Sequence, residues 1–268
     1  MPLHLGVDGA QIYVGDTLAS KVYVGEDEAW SAGSDPVPVT EVGSPVTHNS
    51  AASNISTGGV NLSITPTAGN TVVVFAYFRG STSTTCTITP TGGSATFTSR
   101  VAQLGGSTYL HILTAHNVGA GITSINVAPN VGARGMVWVQ EYAGVDSSTP
   151  MDVTAVGSAP GSGATKTSTL ITPVTSGTMV IAGFGHNGNS STSSPYKATT
   201  AGPSAAGGSQ SGVGWTDEFD LWSNTGSTSH NMVIASNLVN TVGDYQAQWT
   251  TAVTTAAAHG TIALRPAA

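Results

Sequence analysis

Fourteen acidic side chains are the main supply of reactive groups in this chain, and their spacing decides what chemistry it could host. Glycoside cleavage needs two facing carboxyl groups, one of them held protonated. From about residue 38 onward the candidates are Glu41, Glu141, Asp146, Asp152, Asp217, Glu218, Asp220 and Asp244. A pair could be assembled from these, but no spacing singles one out. The only acidic cluster is Asp217-Glu218-Phe219-Asp220. On a strand Glu218 and Asp220 share one face, where they either bind Ca²⁺ or face solvent, and solvent is the expectation. The EF-hand pattern is excluded, because its glycine and its distal glutamate are missing.

Other reactive groups are scattered. His4, His48, His111, His116, His186, His230 and His259 show no H-E-x-x-H spacing, and no G-x-S-x-G pentapeptide marks a serine nucleophile. Gly161-Ser-Gly-Ala-Thr-Lys166-Thr167 imitates a phosphate loop but lacks the glycine directly before the lysine and precedes no helical pattern. A lone cysteine, Cys86, closes no intramolecular bridge. The expectation is a protein that is not an enzyme, with no catalytic residues, no cofactor and no metal centre. Binding stays open. Tyr196, Trp215 and Trp222 lie in or beside a polar stretch, where exposed aromatics stack on sugar rings and neighbouring Asn and Asp take the hydroxyls. The alternative is that the tryptophans fill the core, which is the expectation for Trp138 and Trp249.

The elements that must position these residues are legible from composition. Only 8% of the 268 residues are charged, against about 25% in an average soluble protein, and 34 Gly with 13 Pro break the chain too often for long helices. Polarity comes from Ser and Thr instead. The net charge of −7 opposes phosphate binding, so nucleic acid is not an expected partner. The longest apolar run, Val72 to Phe78, is far short of the ~20 residues a membrane helix needs, and the N-terminus has no signal-peptide pattern. A soluble protein made in a cytoplasm, with no membrane insertion, is expected.

Residues 1–30 read as a separate module. Ile12-Tyr13-Val14-Gly15-Asp16 recurs as Val22-Tyr23-Val24-Gly25-Glu26, two short β-prone runs each ending at a glycine. A hairpin made of the two would be marginal alone. Its apolar side chains, with Trp30, are expected to dock on another chain or another copy. Residues 31–37 form a linker with Pro36, and 38–268 show short β-rich runs between turn clusters, the pattern of an antiparallel β-sandwich. The runs are 60–65, 71–78, 84–89, 95–101, 108–114, 122–127 and 134–142, then 165–171, 178–184, 215–222, 231–236, 244–253 and 258–264. Val72 to Phe75 and Met179 to Ala182 are apolar on both faces and are expected at the centre of the core. Their contexts are related. A degenerate duplication and two independent centrepieces both fit, and the second is favoured because no further correspondence is legible. Residues 187–214, rich in Gly, Ser, Thr and Ala, read as a surface excursion.

Tyr13-Val14-Gly15-Asp16, Lys21-Val22-Tyr23-Val24-Gly25 and Trp30 resemble the opening of minor tail proteins from actinobacteriophages. The body resembles jelly-roll domains of phage and bacterial surface proteins. The residues that carry this are Gly69-Asn70-Thr71-Val72-Val73-Val74, Glu141-Tyr142-Ala143-Gly144-Val145-Asp146, Pro150-Met151-Asp152 and Gly260-Thr261-Ile262-Ala263-Leu264-Arg265-Pro266. No catalytic residue carries over. The resemblance implies a structural virion protein of a tailed bacteriophage, in the tail or at its tip. The arm would anchor to other virion proteins and the jelly roll would face outward, within reach of host-surface glycans. Cyclic oligomers would let copies complete one another's sheets, and a homotrimer is expected. Capsid decoration or a head fibre is the nearest alternative. A secreted bacterial carbohydrate-binding module or glycoside-active enzyme is the second.

Overall fold

The computed structural model describes residues 36–50, 53–80, 83–158, 165–188, 215–225, 228–250 and 257–268, together with short strands at 4–5, 12–14, 17–18, 21–24, 27–31, 204–205 and 208–209. The chain divides into two compact units, residues 1–36 with 268, and residues 37–267. Every described element is a strand or a turn. No helix among the described residues is long and apolar enough to cross a membrane.

In the first unit β1 (His4–Leu5), β2 (Ile12–Val14) and β3 (Thr17–Leu18) form one small antiparallel sheet. The second pair is β4 (Lys21–Val24) with β5 (Asp27–Ser31). The two repeated runs therefore do not pair with each other, as the hairpin reading expected. Each finds a partner closer in sequence, across Gly15-Asp16 and Gly25-Glu26, which is the shorter loop to close.

The second unit starts with β6 (Thr40–Asn49), β7 (Val60–Ser63), β8 (Thr71–Arg79), β9 (Cys86–Thr91), β10 (Thr98–Gly105), β11 (Thr108–Ala115), β12 (Ser124–Pro129) and β13 (Gly135–Ala143). Five of these make a sheet in the order β10-β11-β8-β13-β6, and β7-β12-β9 make a second, smaller one. The chain continues through β14 (Val156–Ser158), β15 (Thr165–Thr167), β16 (Met179–Gly188), β17 (Ser204–Ala205), β18 (Gly208–Ser209), β19 (Thr216–Thr225), β20 (Thr228–Leu238), β21 (Gln248–Thr250) and β22 (Ala257–Leu264). Here the five-stranded order is β19-β20-β16-β22-β14, and β15 pairs with β21. All pairings are antiparallel.

The two orders are the same order. β6, β7, β8, β10, β11, β12 and β13 correspond to β14, β15, β16, β19, β20, β21 and β22. The register agrees too. Val72 lies between Ala115 and Glu141, Val180 lies between Asn237 and Ala263, both face the outer core of their half, and the same number of residues separates the flanking partners in both halves. A β-bulge falls between Ser99 and Val101 on β10 and between Asp217 and Phe219 on β19. Ile64-Thr65-Pro66 leads into β8 as Ile171-Thr172-Pro173 leads into β16. The body is thus an antiparallel β-sandwich built twice, which corrects the reading of two independent centrepieces. The duplication is hidden in sequence because only one turn retains its residues, and the segment between β16 and β19 lengthens the second copy.

Packing follows from the apolar faces. The first large sheet buries one face against the small sheet through Val72, Val74, Phe78, Leu113 and Val139, facing Leu62, Ile125 and Val127. The second large sheet buries its outer face under Ile171, Trp215, Val239 and Tyr245. The remaining faces of the two large sheets pack on each other through Phe75, Tyr77, Trp138, Ile181, Ile234 and Ile262. Both β8 and β16 are hence covered from two sides, which is why their runs lack alternation. Across this central interface β11 packs on β22 and β13 on β20, a reciprocal relation that makes the halves approximate two-fold mates. Strands β6 and β14 fall outside the sequence-derived runs, because exposed β6 mixes Gly43 and Pro45 into its ten residues.

Candidate functional site

The acidic residues separate by role once the strands are in place. Glu141, on β13, accepts hydrogen bonds from Thr67 N (2.9 Å) and Asn70 Nδ2 (2.6 Å), closing the turn before β8. Asp152 does the same for the second half: it accepts from Val174 N (2.6 Å), Thr175 N (3.1 Å) and Thr175 Oγ1, and Arg265 Nε lies 3.4 Å from it. Asp146 accepts from Ser148 N and Thr149 N, which hold its carboxyl below the usual range. Thr172 donates to Asp244. These four are turn supports. Removing the Asp152 carboxylate strands two backbone N–H groups and a guanidinium, so Asp152→Ala is expected to cost about 3 kcal/mol in urea unfolding, with Asp152→Asn losing less.

The remaining described carboxyls meet each other. Glu41 stands near the start of β6 and Glu218 at the bulge of β19, and the two edge strands bring them into a hydrogen bond. Ser236 Oγ, on the neighbouring β20, donates to Glu218 Oε1 at 2.6 Å. Tyr142 is the cross-strand partner of Glu41; its ring is wholly buried and its hydroxyl has no hydrogen-bond partner. Burial and the Glu218 carboxylate raise Glu41 to about 7. The same two carboxylates, after burial itself, push the Tyr142 phenol well above its ordinary value.

The two-fold mate of this seam carries opposite charge. Arg100 sits at the β10 bulge, where Glu218 sits on β19, and its Nε donates to Thr114 Oγ1 at 2.7 Å. His116 bridges Thr114 and Thr71, and burial together with Arg100 lowers it to about 4. An open cleft of about 470 Å³ lies beside Arg100, lined also by Ser99 and by Met151 to Ala155. Its one buried carboxylate, Asp152, is already saturated by the turn it holds. A smaller cleft of about 210 Å³ runs between β6 and the segment after β7.

The aromatic candidates do not form a platform among the described residues. Trp215 is 7% exposed and packs in the outer core of the second sheet, so its ring faces protein rather than sugar. That removes it from the glycan reading. Trp222 is on β19, opposite Asn231, with its side chain outside the described residues, as are Tyr196 and the side chain of Trp249. Trp138 is fully buried and meets Phe75 edge-on at 5.6 Å, as the core reading expected. In the first unit Ile12, Tyr13 and Val14 lie on β2, Val22, Tyr23 and Val24 on β4 and Trp30 on β5. Their side chains, and Gly15 and Gly25, lie outside the described residues.

Lys166 and Thr167 of the phosphate-loop imitation lie on β15, a strand, which leaves no helix N-terminus for a phosphate. Cys86 is half-buried and burial raises its thiol to about 12, so it is not a nucleophile at neutral pH. Glu218 is half-buried at the bulge, where it meets Ser236 and Glu41, while the side chains of Asp217 and Asp220 lie outside the described residues. No local signal could have announced the Glu41 pairing, because it joins the outer edges of two different sheets. Among the described residues no group of three or more His, Cys, Asp or Glu side chains converges. Comparison with protein-family models, with curated proteins and with solved structures finds no match to this chain.

Proposed function

We propose that this chain is a structural protein of a tailed-phage virion, placed in the tail or at its tip, with residues 1–30 as the attachment arm and the duplicated sandwich turned outward. The observation that carries the reading is the division of the chain into a small unit of two- to five-residue strands and a large body with three apolar cores. Strands that short gain stability by adding to a partner's sheet, which is what an anchoring arm does. The motifs of the arm resemble minor tail proteins, and those of the body resemble jelly-roll domains of phage and bacterial surface proteins. A body whose polarity is hydroxyl rather than charge, and whose two large sheets are covered on both faces, suits a rigid particle component. Self-association into a trimer and contact with host-surface glycans belong to the same proposal; the glycan part now rests on Tyr196 and Trp222 without Trp215.

Immunogold electron microscopy of intact particles, with antibodies against residues 38–268, tests the proposal. Label at the tail is the expected result. Label over the head converts the reading to capsid decoration, and particles without label overturn it. Deleting residues 1–30 is expected to abolish incorporation while leaving the body folded by circular dichroism.

A further inference from the structure

The geometry points to a divalent-cation site, of the Ca²⁺ class, at the seam where Glu41 of the first half meets Glu218 of the second, with Ser236 Oγ and the Tyr142 hydroxyl completing the protein's oxygen donors. Two carboxyls from edge strands of different sheets are in contact. Among the described residues neither has a lysine or arginine against it: the groups that face them are each other, Ser236 and Tyr142. Carboxylates in contact need a positive charge or a shared proton between them. Every donor is oxygen, which selects a hard cation over zinc or copper.

The Tyr142 hydroxyl is the second and independent observation. It is fully buried, it is without a hydrogen-bond partner, and it lies within electrostatic reach of both carboxyls. Buried hydroxyls in folded proteins are nearly always satisfied. A cation with its water shell at this seam gives the phenol an oxygen to bond or a metal to face. Ca²⁺ takes about 6–8 oxygens in flexible geometry, so two carboxylates and two hydroxyls leave positions for water at the exposed Glu41 side. Mg²⁺ demands a stricter octahedron and fits a seam of two sliding edges less well.

The two-fold relation strengthens the assignment. At the matching seam the bulge residue is Arg100, a cation built into the chain. At this seam the bulge residue is an acid that meets another acid, so no cation of the chain among the described residues balances the pair and a cation from solution can. The net charge of −7 favours its capture. Bound there, the ion would clamp β6 to β19 and so hold the outer edges of the two halves together.

The full chain, stripped with EDTA, is titrated with Tb³⁺ under tyrosine excitation and then with CaCl₂, and its thermal unfolding is followed in parallel. Saturable sensitised emission that Ca²⁺ competes away, and a rise in Tm with CaCl₂ beyond that from matched NaCl, are expected. Glu41→Gln and Glu218→Gln should each weaken binding by about tenfold or more, the loss of one charged ligand of two. Tyr142→Phe should lower the emission while the Ca²⁺-induced rise in Tm persists. Near-UV circular dichroism shows that each variant is folded. No saturable emission and no Tm shift in the wild-type chain overturn the site, and so does unchanged Ca²⁺ binding in the folded Glu41→Gln/Glu218→Gln double variant.

Discussion

Replacing Gly183 by alanine is expected to destabilise the body by about 2–3 kcal/mol, and by valine more, although both residues favour strands over glycine. Gly183 and Gly185 lie on β16, on the face that meets the first large sheet. A Cβ at Gly183 would stand 2.3 Å from Phe75 Cε1, and one at Gly185 would stand 2.2 Å from Tyr77 Cδ2. Neither ring can retreat. Phe75 is fully buried and braced edge-on by Trp138, and the Tyr77 hydroxyl donates to His186 O at 2.7 Å. Gly260, the cross-strand partner of Gly183, is pressed in the same way by Ile112. Aromatics of the first half thus sit in a glycine trough of the second. The gain in strand propensity from Gly to Ala is under about 1 kcal/mol, so overpacking wins. Urea unfolding of Gly183→Ala against Gly58→Ala, an exposed turn position with ordinary contact distances, measures it. A coupled loss is the signature: Phe75→Leu combined with Gly183→Ala should cost less than the sum of the two, because the smaller side chain vacates the trough. Additive losses would place the strain elsewhere.

Acid is expected to weaken the body between pH 6.5 and 4 through histidines held neutral by burial. His259, wholly enclosed on β22, is lowered to about 3, and His116 to about 4 by burial and Arg100. His111 and His48 shift in the same direction for the same first cause, burial. The unfolded chain titrates these groups near 6.5. Below that pH the unfolded state takes up protons that the folded state refuses, so the stabilisation is complete above about 6.5 and is lost as pH falls toward the folded values. Each fully enclosed histidine contributes a slope near 1.4 kcal/mol per pH unit. For His116, which is only partly enclosed, about 1 kcal/mol per unit is the fitting figure. Glu41, raised to about 7, acts in the opposite sense, because a protonated carboxyl favours the folded state as pH falls from 7 toward 4.5. The comparison that isolates the histidine is therefore wild type against His116→Gln in urea at a series of pH values. The variant should lose about one histidine's worth of slope, and an unchanged slope would show that His116 protonates equally in both states.

Those two effects share a cause in the architecture. Each large sheet is covered twice, so its strands place glycines, aromatics and imidazoles such as His111 and His259 in enclosed layers. The same double cover leaves polar chemistry to the seams, where β6 approaches β19 and β10 approaches β14. At one seam an arginine donates to Thr114, which with Thr71 flanks a histidine; at the other a carboxyl pair meets an orphan phenol.

Local sequence determined the elements of this protein that local physics controls. Glycine and proline spacing excluded long helices, runs of Val, Ile and Phe without alternation marked β8 and β16 as doubly covered, and the Ile-Thr-Pro turns set where each run begins. The run 244–253 holds a strand, although that strand covers only Gln248 to Thr250 and the buried Tyr245 and Ala247 precede it. Tertiary structure alone decided the rest. The repeat is carried by strand order, register and matching bulges, which survive when the residues drift apart, and β6 was illegible because an edge strand tolerates Gly43 and Pro45. Glu41 and Glu218 come from opposite ends of the body, and only the reciprocal packing of two sheets puts them in contact. Their pairing depends on a one-residue bulge that turns a side chain from one face to another, a choice made by the whole ladder rather than by the residues within it.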